Sequence, residues 1–231
     1  MITIADLKKV YKKVNVVDIQ SLVIAKGESF GLVGNNGAGK TTLFRMVLDL
    51  IPPTAGEVQI NGVNVKGNDE WKFFVGSYLD ENFLIDYLTP DEYFAFVGKL
   101  HKYSAEDLNQ LLARFEDLFN GEITGKKKYI RDLSKGNLKK VGIAAAFIGQ
   151  PKVVVLDEPF ENLDPTSQIR LKELIVREHR EKRTTFLISS HDLNHVTETC
   201  SRIVVMEKGM VIKDLAGDEN ALKTLETYFN K

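Results

Sequence analysis

Cysteine is almost absent from this sequence: Cys200 stands alone in 231 residues, so no disulfide can form within the chain. Net charge is absent as well. Thirty-one Lys and Arg face thirty-two Asp and Glu, which excludes a strong overall field toward nucleic acid or an anionic membrane, and no nucleic-acid partner is expected. Long apolar runs are missing too; stretches such as VGIAAAFIG at 141–149 fall well short of the roughly 20 residues that cross a bilayer, so any membrane role requires a partner. The start, MITIADLKKV, lacks the basic-then-apolar pattern of a signal peptide, and the cytoplasm is the expected compartment. What remains is an ordinary globular composition, 43% hydrophobic and 27% charged, expected to build one domain around a developed core.

The first sixty residues alternate short apolar runs with turn signals. KGE at 26–28 and NG at 61–62 read as hairpin punctuation, so an antiparallel β element is expected here. FGLV at 30–33 differs: it is a short continuous apolar run, as in a buried parallel strand. It feeds VGNNGAGKTTL and then a stretch in which Leu43, Met46, Val47 and Leu50 recur at helical spacing, until Pro52, Pro53 and Gly56 end it.

Strand, glycine loop and helix in that order give the loop a physical meaning. The residues Gly34, Asn35, Asn36, Gly37, Ala38, Gly39, Lys40, Thr41 and Thr42 carry little side chain to pack, and glycine permits the dihedrals that turn backbone N–H groups inward. The following helix presents its positive end to the same place. A polyphosphate fits there, with Lys40 reaching the β and γ phosphates and the Thr41 hydroxyl on magnesium.

A second chemical centre is VVVLDEP, Val153 to Pro159. An apolar strand ending in two adjacent carboxylates puts Asp157 and Glu158 at the C-terminal edge of a parallel sheet, where ligands bind. Asp157 is expected to hold magnesium and Glu158 to polarise the attacking water. Taken alone, the pair could equally be a turn with an ordinary helix cap. A third apolar strand, TTFLISS at 184–190, ends at His191; His101, His179 and His195 lie within helical patterns and carry no functional case. Between about 83 and 133 the chain becomes helical, with Tyr93, Phe94, Val97, Leu100, Leu108, Leu111, Leu112, Phe115, Leu118 and Phe119 at helical spacing. The bland account is packing between helices and the sharper one a groove for a partner. Lys126, Lys127 and Lys128 read as a solvated loop.

The ordered set GNNGAGKTT, LSKGN at 133–137, VVVLDEP, ENLDP at 161–165 and SSH at 189–191 resembles the ATP-binding cassette ATPases over nearly the whole chain. The resemblance implies an α/β fold with a P-loop NTPase core and a mostly parallel sheet, an N-terminal antiparallel β subdomain, and a helical subdomain at about 83–140 inserted within a single domain spanning 1–231. It implies that Tyr11 stacks on adenine, that His191 contacts the γ-phosphate and positions Glu158, and that Ser134, Lys135, Gly136 and Asn137, ahead of a helix starting near Leu138, contact the nucleotide of the opposite subunit. Asp164 matches the acidic residue that crosses the dimer interface. Two copies are then expected to close head to tail around two ATP molecules with magnesium.

This chain departs from the family's pattern in several places. The family's magnesium-coordinating glutamine falls at Asp80, which can bind a metal but donates no hydrogen bond when ionised. Lys135 and Asn137 replace the usual glycine and glutamine, and Phe160 replaces a small hydroxyl residue, adding bulk expected near the dimer contact. The LSKG variant looks like that of small export-type ATPases. The expected role is therefore the ATPase subunit of an exporter, peripheral on the inner face of the cell membrane through a separate transmembrane permease. A non-transport ATPase and a nucleotide-gated regulatory module are the alternatives. The end of the sequence, LKTLETYFNK, reads as a short helix-like tail.

Overall fold

The computed structural model describes residues 1–229. Its first unit is a four-stranded antiparallel sheet of β1 (Ile2–Tyr11), β2 (Val14–Ile24), β4 (Ala55–Ile60) and β5 (Val63–Asn64), in the order β2-β1-β4-β5. Two hairpins close on residues that tolerate left-handed backbone: Lys12 and Lys13 between β1 and β2, and the expected Asn61 and Gly62 between β4 and β5.

The KGE turn does something different from the hairpin expected of it. It hands the chain from this sheet to the second one, because β3 (Ser29–Val33) pairs not with β2 but with β8 (Thr185–Ser190) and β9 (Arg202–Glu207). All five residues of β3 are buried. A strand with no wettable face needs neighbours on both edges and layers on both faces, and only a sheet interior provides them.

That second sheet runs β10-β9-β3-β8-β7-β6, with β6 (Val75–Tyr78), β7 (Val153–Leu156), β8, β3 and β9 parallel and β10 (Met210–Ala216) antiparallel at one edge. Side chains alternate across it. Val153, Val155, Leu187 and Val204 join Leu43 and Phe44 of α1 (Lys40–Val47) and the antiparallel sheet in one core, whereas Val154, Leu156, Ile188 and Ile203 face the other helices. Those helices are α2 (Pro90–Leu100), α3 (Ala105–Ala113), α4 (Glu116–Phe119), α5 (Lys135–Ala146), α6 (Pro165–Lys182), α7 (Leu193–Thr199) and α8 (Ala221–Phe229); the final two residues of the sequence lie outside the described ones.

The aromatic residues of the middle segment are packing. Phe94, Phe119 and Phe115 stack at 5.9 Å spacings, and Phe115 meets Phe147 edge-on at 5.4 Å. Phe147 lies 6.2 Å from Phe186 on β8, so these helices are tied to the sheet by one aromatic file. The apolar spacing from 108 to 119 is broken between α3 and α4 at Arg114 and Phe115. Capping boxes start α2 at Thr89 with Glu92 and α3 at Ser104 with Asp107, each cap contributing about 1 kcal/mol.

Gly142 lets α5 lie directly on β6, since a Cβ there would sit 2.1 Å from the Tyr78 ring. Gly142→Ala should therefore destabilise the fold by about 1–3 kcal/mol through overpacking, despite the roughly 1 kcal/mol that alanine gains in a helix. A denaturant midpoint equal to or above the parent's would contradict this packing.

Candidate active site

The glycine loop connects the C-terminal end of β3 to the first turn of α1, as the residue order anticipates. Gly39 adopts φ 104°, and any Cβ there would lie 2.5 Å from the Val16 carbonyl oxygen, so the loop folds against β2 only because that position has no side chain. Asn35, Asn36 and Gly37 are exposed at the loop's tip, while Gly34, Ala38 and Lys40 are buried. Tyr11 ends β1 near the hairpin tip and is 46% exposed, with the Lys9 ammonium 5.0 Å from its ring centroid. It is thus a surface aromatic rather than a core residue.

Strand order brings the distant motifs together. Asp157 and Glu158 follow β7 and His191 follows β8, so all three emerge on the edge of the sheet where β3 meets the loop. The Lys40 ammonium donates to the Gly34 carbonyl at 2.7 Å and lies 3.3 Å from Glu158 Oε1. The other Glu158 oxygen, Oε2, accepts from the His191 backbone N–H at 3.2 Å and sits 2.9 Å from His191 Nδ1. The Thr41 hydroxyl donates to Asp157 Oδ2 at 2.5 Å.

Beneath these residues lie two that the sequence reading did not assign. The Ser189 hydroxyl donates to Asp157 Oδ1 and accepts from the Glu158 backbone N–H at 2.9 Å, so one buried side chain orients both acids. The Lys139 ammonium, buried on α5, donates to the Glu158 carbonyl at 2.6 Å. The SSH motif pointed at Ser189; nothing in the local pattern singled out Lys139, which stands beside Lys140 and one turn after Lys135. Glu158 itself is held at φ 45°, left-handed backbone that costs on the order of 1–3 kcal/mol at functional sites. Burial pushes the Asp157 carboxyl above the usual carboxylate range, an effect opposed by its bonds from Ser189 and Thr41. Burial also pulls the Lys139 ammonium below its usual range, against the pull of the neighbouring acids Glu161 and Glu158.

The Thr41 hydroxyl and the Asp157 carboxylate are hard oxygen donors in contact beside a buried ammonium. That donor set suits magnesium, which takes one or two protein oxygens and completes its shell with phosphate and water. Asp80 stands apart from them in its bonding. Its Oδ1 accepts from the Asn82 N–H at 2.9 Å, capping the turn, and its Oδ2 pairs with Arg45 at 3.2 Å.

Ser134, Lys135, Gly136 and Asn137 form a second group, on the first turn of α5. The helix starts at Lys135 rather than near Leu138, because the Ser134 hydroxyl caps it by accepting from the Asn137 N–H at 3.3 Å. A Cβ on Gly136 would lie 2.9 Å from the Asn162 carbonyl, so this turn packs on the segment that ends in Asp164. Asp164 caps α6 by accepting from the Ser167 N–H at 3.0 Å. Among the described residues no hydrogen bond or ion pair joins this second group to the glycine loop. Phe160 corrects the expectation of bulk at a dimer contact: it is 1% exposed and points into the core, since a phenyl ring finds its lowest free energy there.

With the loop, the paired acids and the capped second group in place, comparison with known proteins settles the family. A family described as ABC transporter matches residues 17–161. The chain belongs to the ABC transporter family. It is 37% identical over 213 residues to the ABC transporter ATP-binding protein NatA of Bacillus subtilis, covering 90% of this chain and 83% of that one. An uncharacterized ABC transporter ATP-binding protein of Synechocystis is 35% identical over 216 residues, and the match spans 90% of this chain but 60% of the relative's length. The fold is that of a dimeric ATP-binding cassette solved in a post-hydrolysis state with ADP and phosphate, with a TM-score of 0.84, 23% identity, and coverage of 94% of this chain and 99% of that one. None of the described helices is long and apolar enough to cross a membrane.

The Ser189 hydroxyl is positioned to act through the two acids. Ser189→Ala should lower the rate of ATP hydrolysis about tenfold while leaving affinity for metal-free ATP within about twofold, because it loosens Asp157 and Glu158 but makes no contact with Lys40 or the glycines of the loop. An unchanged rate in a steady-state assay would remove Ser189 from this role.

Proposed function

We propose that this chain binds ATP with magnesium and hydrolyses it as the ATP-binding subunit of a membrane exporter, peripheral on the cytoplasmic face through a separate permease. The observation that carries the reading is the continuous set of contacts from Gly34 through Lys40 and Glu158 to His191, beside the Thr41–Asp157 bond. Gly34 to Thr42 hold the phosphates, Tyr11 stacks on the base, and Thr41 and Asp157 hold the metal. When bound, magnesium supplies positive charge to the phosphate oxygens. Asp80 serves as a further metal-side residue.

Glu158 is the general base. It accepts the proton of the attacking water, and His191, bonded to the same carboxylate, fixes its orientation. In the present arrangement Lys40 neutralises Glu158; a terminal phosphate would draw the Lys40 ammonium away and free the carboxylate for that proton. The phosphate contacts of one chain are incomplete, because Ser134, Lys135, Gly136, Asn137 and Asp164 stand in a separate group. Two copies closing head to tail would bring that group of each to the loop of the other. One domain with an inserted helical segment accounts for the placement of both groups.

The membrane partner is inferred from the surface between β6 and α2. A groove of about 250 Å³, lined by Leu50, Tyr78, Leu79, Leu84, Tyr93 and Val97, lies open beside Phe83, which is itself 53% exposed. An apolar groove of this kind suits a short helix of a permease. The export direction is drawn from the LSKG form of the signature.

Glu158→Gln tests the central assignment. The variant should bind ATP as the parent does, lose about 10²–10⁴-fold in hydrolysis, and sediment as a dimer only with ATP and magnesium. Hydrolysis at the parent rate, or a monomer under all conditions, would overturn the reading.

A further inference from the structure

The family's small hydroxyl residue is replaced here by Phe160, two positions after Glu158. The Phe160 ring lies 4.5 Å from the His195 ring, centroid to centroid, at an interplanar angle of 32°. His195 is four residues after His191: His191 precedes α7, whose N-cap is Asp192, and His195 lies in the first turn of that helix. Two contacts therefore join the same two segments: Glu158 to His191 at the mouth of the site, and Phe160 to His195 beneath it.

The segment after Glu158 has little other freedom. Gln168 on α6 donates to the Phe160 and Leu163 carbonyls at 3.1 and 3.3 Å, fixing the backbone on either side of the ring. The Ser189 bond to the Glu158 N–H ties the start of this segment to β8, and the tilted Phe160–His195 ring contact adds a second tie, to α7. His195 offers its face rather than its nitrogens: Nδ1 is buried without a hydrogen-bond partner among the described residues, and Nε2 is 3.6 Å from Asp192. Burial holds its imidazole below the usual histidine range, against the pull of Asp192.

We propose that the Phe160–His195 ring contact acts with the Ser189 bond as a spacer that holds the Glu158–His191 separation, making His195 a positioning residue for hydrolysis. The proposal rests on Glu158 acting as the base. Its chemistry requires a flat ring: a planar face packs at one separation against Phe160, whereas a branched aliphatic chain of similar bulk does not reproduce it. Displacement of a catalytic carboxylate by a fraction of an ångström is enough to slow proton transfer.

The test compares His195→Phe with His195→Leu, both apolar and both compatible with the buried site, by steady-state ATP hydrolysis and by affinity for a fluorescent ATP analogue. His195→Phe should keep kcat within about twofold of the parent. His195→Leu should lose about tenfold in kcat with KM and affinity within about twofold, since His195 touches no residue assigned to the nucleotide. Equal kcat in the two variants, or a loss confined to KM, would overturn the proposal. Glu158→Gln, measured alongside, separates the failures: active Glu158→Gln defeats the base assignment itself, whereas inactive Glu158→Gln with fully active His195→Leu defeats only the spacer.

Discussion

Asp157 and Glu158 are consecutive acids at the end of a strand buried on both faces, and they need a cation to stand there. Lys40 provides it, with its side chain 7% exposed and its ammonium 3.3 Å from Glu158. Two carboxylates and one ammonium in so little water interact strongly, and their positions depend on one another. The glycine loop carries the lysine, β7 carries the acids, and the order β3-β8-β7 places both at one edge. Loop dihedrals, strand order and buried charge are thus parts of a single constraint.

That constraint explains which parts of the protein could be read from its residues. The strand, loop and helix around Lys40 were legible because glycine spacing and uninterrupted apolar runs have few other solutions. The acids after VVVL were legible for the same reason. The KGE turn was not, since a tight turn reports a reversal of direction and says nothing about which sheet takes the next strand. Phe160 was misplaced because a resemblance assigns a position to a surface, while the ring's own hydrophobicity assigns it to the core. Ser189 and Lys139 act through the backbone of Glu158, a contact made across 31 and 19 residues of sequence that no local pattern encodes.

The separation of the two polar groups gives the assembly its logic. The loop group is self-consistent, bonded from Gly34 to His191. The Ser134–Asn137 group packs on Asn162 through Gly136, while Ser134 and Asp164 each cap a helix of their own. A helix N-terminus such as that of α5 favours an anionic ligand. In the proposed dimer that ligand is the nucleotide of the other copy, and conformational work follows from making and breaking this contact.

The most direct measurement is a structure of the chain crystallised with a slowly hydrolysed ATP analogue and magnesium. The account requires the Lys40 ammonium to leave Glu158 for the β and γ phosphates, with Thr41 and Asp157 at the metal and Ser134 to Asn137 of a second copy at the γ-phosphate. A nucleotide bound in the loop while Lys40 remains paired with Glu158, or bound elsewhere on the chain, would contradict it.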